Sequence, residues 1–258
     1  MARLTDLIPV PAEINPGLSG TRNDLMLSLL GSPRSTYDAS CENPTNSAFL
    51  SRVKWGIDVG PFKVSGFDLA VDSLKQVCAD IEREVPQAHN AMGTAGMLCC
   101  RMVRGSSAAI SNHSWGTAVD IKIDGVLDRR GNGKVQIGLA QIAPIFNRHG
   151  WFWGAEFTVE DGMHFEISQE KMLEWHEQGA LFDGRSPPSQ HVTRVGDRSR
   201  DVEELQRRLN QLGAELVADG IFGRATLAAV IDFQGRSGLE PDGIVGRKTW
   251  KRLRELTS

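Results

Sequence analysis

The chain of 258 residues lacks several features that mark large classes of proteins. No apolar run reaches the roughly 20 residues that a membrane-spanning helix needs. The formal net charge is -3 and the isoelectric point is near 6.1, so no basic excess indicates a general nucleic-acid binder. We therefore expect a monomer that has no membrane anchor and no nucleic-acid partner.

The N-terminus also lacks the basic start, apolar core and cleavage site of a secretory signal. Synthesis in the cytoplasm is therefore expected, and reduced thiols are the default state there. The spacing of the four cysteines, at positions 41, 78, 99 and 100, fits no zinc motif. Cys78 lies on the apolar face of a predicted helix, and a disulfide from Cys41 remains an alternative.

Neither of the commonest zinc signatures, HExxH on a helix and paired CxxC, occurs in the chain. Two other stretches carry metal-binding residue types, SNHSWGTAVDIKI at 111–123 and EDGMHFE at 160–166. His113, Asp120 and His164 offer two imidazole nitrogens and a carboxylate. Three protein ligands leave a fourth position for water, as a catalytic zinc site requires. Asp161, three residues before His164, is placed to take a proton from that water.

The local pattern favours two strands and a turn around these residues. Apolar and polar residues alternate over 117–123, so Asp120 points away from the apolar face of a strand. Gly116 permits a tight turn, across which His113 can fold back towards Asp120. A second short strand is expected at 163–167, with His164 and Glu166 on one face. From spacing alone, a metal site and ordinary hydrogen-bonded side chains are equal alternatives.

The motif Ser111-x-His113-x-x-Gly116-x-Ala118-x-Asp120, followed by Asp161-x-x-His164, resembles the M15 family of zinc peptidases. The resemblance covers roughly residues 45–182, and Trp153-Gly154 precedes the second half as is common in that family. It implies Zn²⁺ on His113, Asp120 and His164, with Asp161 as general base. Asp in this position is the form seen in several phage endolysins.

The resemblance also implies an arginine, upstream of the first motif, that polarises the scissile carbonyl. Arg101 and Arg104 are the two candidates, and Arg101 is preferred. The implied fold is α+β, an M15-type zinc domain of the hedgehog and D,D-peptidase kind with a small antiparallel sheet and helices.

Hydrophobic periodicity organises the rest of the first 182 residues. Residues 1–45 are rich in Pro, Ser, Asn and Gly and predict an arm wrapped on the domain. Helices are predicted over 66–84, 137–149 (with Pro144 bending it) and 170–178, and a strand over 96–104. The polar segment 124–135 has the Asp, Asn and Gly of a calcium loop. It lacks the terminal Glu of an EF-hand, so an ordinary loop is expected.

A linker is predicted at 183–192, where Pro, Ser and Gly accumulate, and a second domain at 193–258. In this second domain the frame Asp-Gly-Ile-x-Gly-Arg-x-Thr occurs twice, at 219–226 and 242–249. This tail resembles the three-helix peptidoglycan-binding domain of many wall hydrolases. It implies an all-α three-helix bundle and bacterial peptidoglycan as partner, with Arg224, Phe233 and Gln234 as candidate wall contacts.

The two resemblances together predict a zinc-dependent peptidoglycan peptidase of endolysin type that cleaves the L-Ala–D-Glu bond of the stem peptide. Release from the host cytoplasm through a holin is the expected route to the wall. The alternatives are a D,D-carboxypeptidase or dipeptidase acting on D-Ala-D-Ala termini, and a wall-binding protein without catalysis. Asp161 argues against the last alternative, because a purely structural metal site needs no spare carboxylate.

Overall fold

The structure, a computed structural model, describes residues 2–106, 108–181 and 193–257. The chain divides into two compact units, Met1–Asp183 and Gly184–Ser258, and each has its own hydrophobic core. The linker predicted at 183–192 lies outside the described residues. In the part of the chain that is described, no helix is both long enough and apolar enough to cross a bilayer.

The first unit mixes helices with short strands, as the α+β prediction requires. In chain order its elements are β1 (Leu7–Pro9), α1 (Asn23–Leu30), α2 (Ser47–Leu50), β2 (Val53–Asp58), β3 (Lys63–Phe67), α3 (Asp68–Glu84), α4 (Pro86–Ala91), β4 (Met92–Gly96), β5 (Ala118–Ile123), β6 (Lys134–Gln136), α5 (Ile137–Arg148), β7 (Trp151–Trp153), β8 (His164–Ile167) and α6 (Gln169–Glu177).

The sheet that matters for function has the strand order β4-β5-β8-β7 and is antiparallel throughout. In its centre, Asp120 on β5 lies directly opposite His164 on β8. The strands predicted at 117–123 and 163–167 are thereby confirmed. Their inner faces pack on helices α3 and α5, whose apolar residues complete the core.

Helix α3 follows the predicted period of three to four residues. Its inner face is fully buried along its length, through Val71, Leu74, Val77, Cys78 and Ile81. Burying a side chain of this size stabilises the fold by roughly 1.5–3 kcal/mol. Helices α5, which contains Pro144, and α6 confirm the other two predicted helices to within two residues.

The strand predicted over 96–104 is wrong. Strand β4 ends at Gly96, whose φ of 129° interrupts the extended backbone. The chain beyond it forms only isolated bridges, Glu42 with Cys100 and Met102 with Ile110. The apolar character of this segment reflects burial of Met97 and Cys100 in an irregular connection, not in a sheet.

The N-terminal arm predicted at 1–45 packs on the domain and contains elements of its own. Strand β1 pairs with β6, and α1 contributes the buried Met26 to the core. Between them the arm is fixed by hydrogen bonds over long sequence separations. Asn15 Nδ2 donates to the Trp153 carbonyl over 2.9 Å, and Thr21 Oγ1 donates to the Ile167 carbonyl over 2.6 Å.

In residues 193–257 the second unit has three helices, α7 (Arg200–Gln211), α8 (Arg224–Arg236) and α9 (Arg247–Leu256), as predicted for an all-α bundle. A buried glutamine holds each Asp-Gly turn of the repeat. Gln206 donates to Asp219 Oδ1 and accepts from the amide of Gly220. Gln234 makes the same pair of bonds to Asp242 and Gly243.

This arrangement corrects two of the candidate wall contacts. Phe233 and Gln234 are both almost fully buried, because one fills the core of the bundle and the other holds the second turn. Neither is available to a polymer in this conformation. Arg224, by contrast, is exposed at the start of α8 and stays a candidate.

The expectation of reduced thiols fails for two of the four cysteines. Cys41 in the arm and Cys99 form a disulfide with a Cα–Cα distance of 5.1 Å, whereas Cys78 and Cys100 are free and buried. Cys78 was correctly placed in the core of the domain. The disulfide attaches the arm to the irregular segment that follows β4, next to the hydrogen bonds between Glu42 and Cys100.

The disulfide should be measurable as a thiol count and as stability. In denaturant without reductant, two thiols per chain are expected to react, and four after reduction. Because the crosslink closes a loop across a sequence separation of 58 residues, its reduction should lower the free energy of unfolding by about 2–4 kcal/mol. The double variant Cys41→Ser/Cys99→Ser is the control, since reductant should leave its melting temperature unchanged. Four reactive thiols in the unreduced protein would contradict the pairing.

Candidate metal centre

His113 is positioned by a single turn of 3₁₀ helix, Asn112–Trp115, which ends at Gly116. Gly116 has a φ of 60°, and a Cβ there would lie 2.6 Å from the Cα of Gly66. Only glycine satisfies both the left-handed backbone and this close approach. The turn folds the buried imidazole back towards β5, as the sequence predicts.

Asp120 and His164 reach the same point from neighbouring strands, because they are cross-strand partners in the sheet. His113 Nε2, His164 Nδ1 and Asp120 Oδ1 form a triangle in which each side measures 3.2 Å. The structure therefore brings together all three predicted ligands. Among the described residues, no other group of three or more His, Cys, Asp or Glu is disposed to hold a metal ion.

In each imidazole, the hydrogen-bond partner of the nitrogen that faces away from Asp120 determines which nitrogen carries the hydrogen. His113 Nδ1 is 3.0 Å from the Met97 carbonyl oxygen, and His164 Nε2 is 3.0 Å from Glu166 Oε2. Both partners are acceptors, so each of these nitrogens carries the hydrogen and donates it. In the neutral rings, the nitrogens that face Asp120 then present lone pairs. Three lone pairs converge with no hydrogen between them, which is the electronic arrangement of a cation site.

The dimensions of the triangle also suit zinc. With zinc–ligand distances of about 2.0–2.2 Å, two ligand atoms of a tetrahedral site lie about 3.3–3.6 Å apart. The observed separations of 3.2 Å are close to that range. The donor set of two imidazoles and one carboxylate is one that zinc accepts, and it leaves a coordination position open.

The electrostatics of the site favour a positive charge at its centre. Burial opposes ionisation of Asp120, but hydrogen bonds with His113 and His164 outweigh it and hold the pKa of that carboxyl well below its usual range. Burial likewise opposes charge on His164, yet Asp120 and Glu166 raise its pKa to about 10. Without a metal, the site attracts a proton, and zinc binding must displace that proton.

Glu166 holds His164 in place and is itself held on three sides. Its carboxylate accepts from the amide of Thr21 over 2.8 Å, from Asn112 Nδ2 over 2.9 Å, and from His164. Such a carboxylate partner fixes the orientation of a metal-binding imidazole and increases its basicity. The sequence places Glu166 on the face of His164, but its role depends on the arm, which only the folded structure brings near.

Asp161 lies beside the ligands and is not one of them. Its side chain is 21% exposed, and Oδ1 is buried without a hydrogen-bond partner. Burial raises the pKa of this carboxyl, although His164 and Arg130 act in the opposite direction. A carboxylate with a free oxygen and increased proton affinity has the properties of a general base.

Two other carboxylates of the same segment, Glu156 and Glu160, are engaged elsewhere. Glu156 accepts from Asn15 Nδ2 over 2.7 Å, and Glu160 accepts from the amide of Asn132 over 2.5 Å. Both bonds hold connecting segments in place. Asp161, unlike these two carboxylates, has a buried oxygen, Oδ1, to which no described protein group donates.

Of the two arginines proposed for the carbonyl, Arg101 has the closer electrostatic relation to the centre. It is half-buried, and the pKa of its guanidinium is lowered by burial and by Arg104, while Asp120 and Asp161 raise it. Arg104 is exposed. A third arginine, Arg130, forms an ion pair with Asp161 and was not singled out from the sequence.

Comparison with protein families defines two modules. Residues 104–167 match the family model described as "D-alanyl-D-alanine carboxypeptidase", and residues 198–253 match the model described as "Putative peptidoglycan binding domain". The resemblance to M15 peptidases is thereby confirmed over residues 104–167, and the resemblance to the peptidoglycan-binding domain over residues 198–253. The first match spans the three ligands and Asp161, and it begins after Arg101.

Individual relatives match over the length of one module. The zinc D-Ala-D-Ala carboxypeptidase of Streptomyces albus G is 42% identical over 64 residues, 24% of this chain and 25% of that protein. The spore cortex-lytic enzyme of Halalkalibacterium halodurans is 38% identical over 71 residues, 27% of this chain and 22% of that protein. The chain thus spans about a quarter of the length of these two curated relatives.

A crystal structure of the Burkholderia AP3 phage endolysin is 51% identical over a match that covers 24% of each chain. The TM-score of this match is 0.24.

The hydrogen bonds of Glu166 predict how tightly zinc binds. A glutamine cannot accept from Thr21, Asn112 and His164 together, because one of its two positions is an amide nitrogen. Glu166→Gln should therefore fold but increase the dissociation constant for zinc roughly 10- to 100-fold, as measured by competition with a chelator.

Two further variants serve as the limits of this measurement, one without a ligand and one as a matched control. His113→Ala should lose zinc altogether by elemental analysis, because it removes a ligand. Glu170→Gln is the matched control, since Glu170 contacts the same arm through the Ser19 amide and does not touch His164. If Glu166→Gln binds zinc as tightly as Glu170→Gln does, Glu166 does not position the ligand.

Proposed function

We propose that this protein is a zinc-dependent peptidase that hydrolyses the stem peptide of bacterial peptidoglycan at the L-Ala–D-Glu bond. The observation that carries the proposal is the convergence of three potential ligand atoms, each 3.2 Å from the other two, beside a buried carboxylate oxygen of Asp161 that no described protein group donates to. The family of the matched segment and the binding-type tail support peptidoglycan as the substrate.

Different residues are proposed to hold the metal ion and to transfer protons. When bound, zinc would lower the pKa of a water molecule and polarise the scissile carbonyl. His113, Asp120 and His164 would hold the ion, and Met97 and Glu166 keep the two imidazoles in the correct tautomer.

Asp161 acts as the proton carrier. As general base its carboxylate takes a proton from the attacking water, and as general acid it returns that proton to the leaving nitrogen. No protein group donates a hydrogen bond to Oδ1 among the described residues, so this oxygen is not committed to holding the fold. Arg101 contributes a positive charge opposite the oxyanion that develops on the carbonyl.

The second unit is proposed to anchor the enzyme on its insoluble substrate. A binding module joined to a catalytic one raises the local concentration of substrate without any new catalytic contact. Export through a holin and activity as a bacteriolytic endolysin of a phage belong to the same proposal.

A D,D-carboxypeptidase acting on D-Ala-D-Ala termini is the second candidate. It uses the same metal centre and base, and it is favoured by the description of the family model that matches residues 104–167. Mass spectrometry of the fragments released from purified peptidoglycan separates the two reactions. Free D-Ala indicates the carboxypeptidase, and a new N-terminal D-Glu indicates the endopeptidase.

The role of Asp161 can be separated from metal binding. Asp161→Asn should retain zinc and its melting temperature, because Asp161 is not a ligand, yet lose at least roughly a hundredfold in turnover. Hydrolysis of a soluble stem peptide is the readout, with elemental analysis of the same sample.

Glu160→Gln is the comparison variant, because Glu160 is the neighbouring carboxylate with a structural hydrogen bond. It should keep turnover within a few-fold of the wild type. Near-normal activity in Asp161→Asn, together with an inactive Glu160→Gln, would assign the base to Glu160 and refute this mechanism.

The two-module proposal predicts the behaviour of the separated parts. A piece spanning 1–185 should cleave a soluble peptide as fast as the whole chain but act more slowly on intact walls. A piece spanning 190–258 should sediment with purified walls and release nothing. The tail is not an anchor if it stays in the supernatant while the first piece lyses walls at full speed.

A further inference from the structure

We propose that Arg130 binds a free carboxylate on the substrate residue that leaves as the amine, so that the enzyme selects peptides with an unmodified α-carboxyl group at that position. This inference rests on the proposed peptidase function and extends it to the class of substrate. It concerns a residue outside the metal ligands and outside the proposed roles of Asp161 and Arg101.

Arg130 is brought to the centre by the loop between β5 and β6. Two hydrogen bonds clamp that loop to the segment before Asp161: Gly131 donates its amide to the Glu160 carbonyl over 3.0 Å, and Asn132 donates its amide to Glu160 Oε1 over 2.5 Å. On its inner side the loop buries Asp128 against Gly162, where a Cβ would lie 2.1 Å from the carboxylate. The backbone on both sides of Arg130 is therefore fixed.

The contact of Arg130 with Asp161 is loose. Nε lies 3.5 Å from Asp161 Oδ2, and the arginine side chain is 39% exposed. Among the residues that the structure describes, this is the one ion pair recorded for Arg130, and none of its N–H groups makes a recorded hydrogen bond. An ion pair with a half-exposed arginine and this long a separation contributes little. A carboxylate that offers two parallel hydrogen bonds would be a better partner for the guanidinium.

The chemistry of the reaction places such a carboxylate within reach. In both candidate reactions the residue that leaves as the amine bears a free α-carboxylate: the C-terminal D-Ala in one, and in the other D-Glu, which continues the stem through its side-chain carboxyl. The carboxyl carbon is two bonds, about 2.5 Å, from the leaving nitrogen. Asp161 must approach that nitrogen to about 2.6–3.2 Å, and Arg130 is next to Asp161.

The geometry also distinguishes Arg130 from its neighbour. Arg129 is an exposed arginine of the same loop, with no recorded contact to Asp161. Arg129 carries the same charge as Arg130 and is adjacent to it in the sequence. Arg129→Gln is therefore a control for any general effect of positive charge near the site, and Arg130→Gln removes the specific donor.

The test uses matched peptide pairs in which the leaving residue carries either an α-carboxylate or an α-carboxamide, one pair for each candidate bond. The zinc-loaded wild type should cleave the acid of the productive pair with a kcat/KM roughly ten- to a hundredfold above that of the amide. In Arg130→Gln the ratio of kcat/KM for the acid to that for the amide should fall to about one, whatever common change the loss of the ion pair with Asp161 makes to both. Arg129→Gln should retain the full preference, and zinc content should be equal in all three proteins.

Two results would overturn the inference. One is a wild type that cleaves acid and amide equally well. The other is an Arg130→Gln variant in which kcat/KM falls by the same factor for the acid and the amide, because Arg130 would then support Asp161 and would not bind the substrate carboxylate.

Failure of the proposed function would look different, since the wild type would then cleave neither peptide nor purified walls. Calorimetric binding of the same peptides to the zinc-loaded wild type then decides the inference. Tighter binding of the acid that Arg130→Gln abolishes supports a carboxylate site, and equal affinities or no binding overturn it.

Discussion

The first unit depends on one unfavourable arrangement, three electron pairs that face each other within 3.2 Å in a nearly dry interior. Left alone, such a group repels itself, and it is tolerable only with a positive charge in its midst. The sheet makes the arrangement unavoidable. The backbone directs the three side chains to one point, because Asp120 and His164 are cross-strand partners and Gly116 turns His113 back towards them.

The groups that position the ligands are themselves held by further hydrogen bonds. Met97 and Glu166 hold the imidazoles, Thr21 and Asn112 hold Glu166, and the arm that carries Thr21 is secured further along the chain by Asn15. The side-chain nitrogens that face inwards in this network all have acceptors, which reduces the cost of burying them. The catalytic geometry is thus a property of the whole unit and not of its two motifs.

This layering explains what the sequence could predict. Periods of two and of three to four residues are local, so the strands at Asp120 and His164 and the helix over 68–84 were within reach. The partnership of Glu166 with Thr21 spans 145 residues, and the disulfide of Cys41 with Cys99 spans 58. No local pattern in the sequence predicts contacts between residues so far apart. The apolar run after Gly96 misled for the opposite reason: burial alone does not distinguish a strand from an irregular buried segment.

The hydrogen bond from the amide of Thr21 to Glu166 couples the docking of the N-terminal arm to metal binding. If docking of residues 15–23 strengthens the hold on the ion, binding of the ion must strengthen the docking of the arm by the same factor. Loss of zinc would then weaken the docking of the N-terminal segment, although Thr21 lies 145 residues before Glu166 in the chain. A loosened arm would expose the carboxylate of Glu166 to water, and the centre would lose order from the outside inwards.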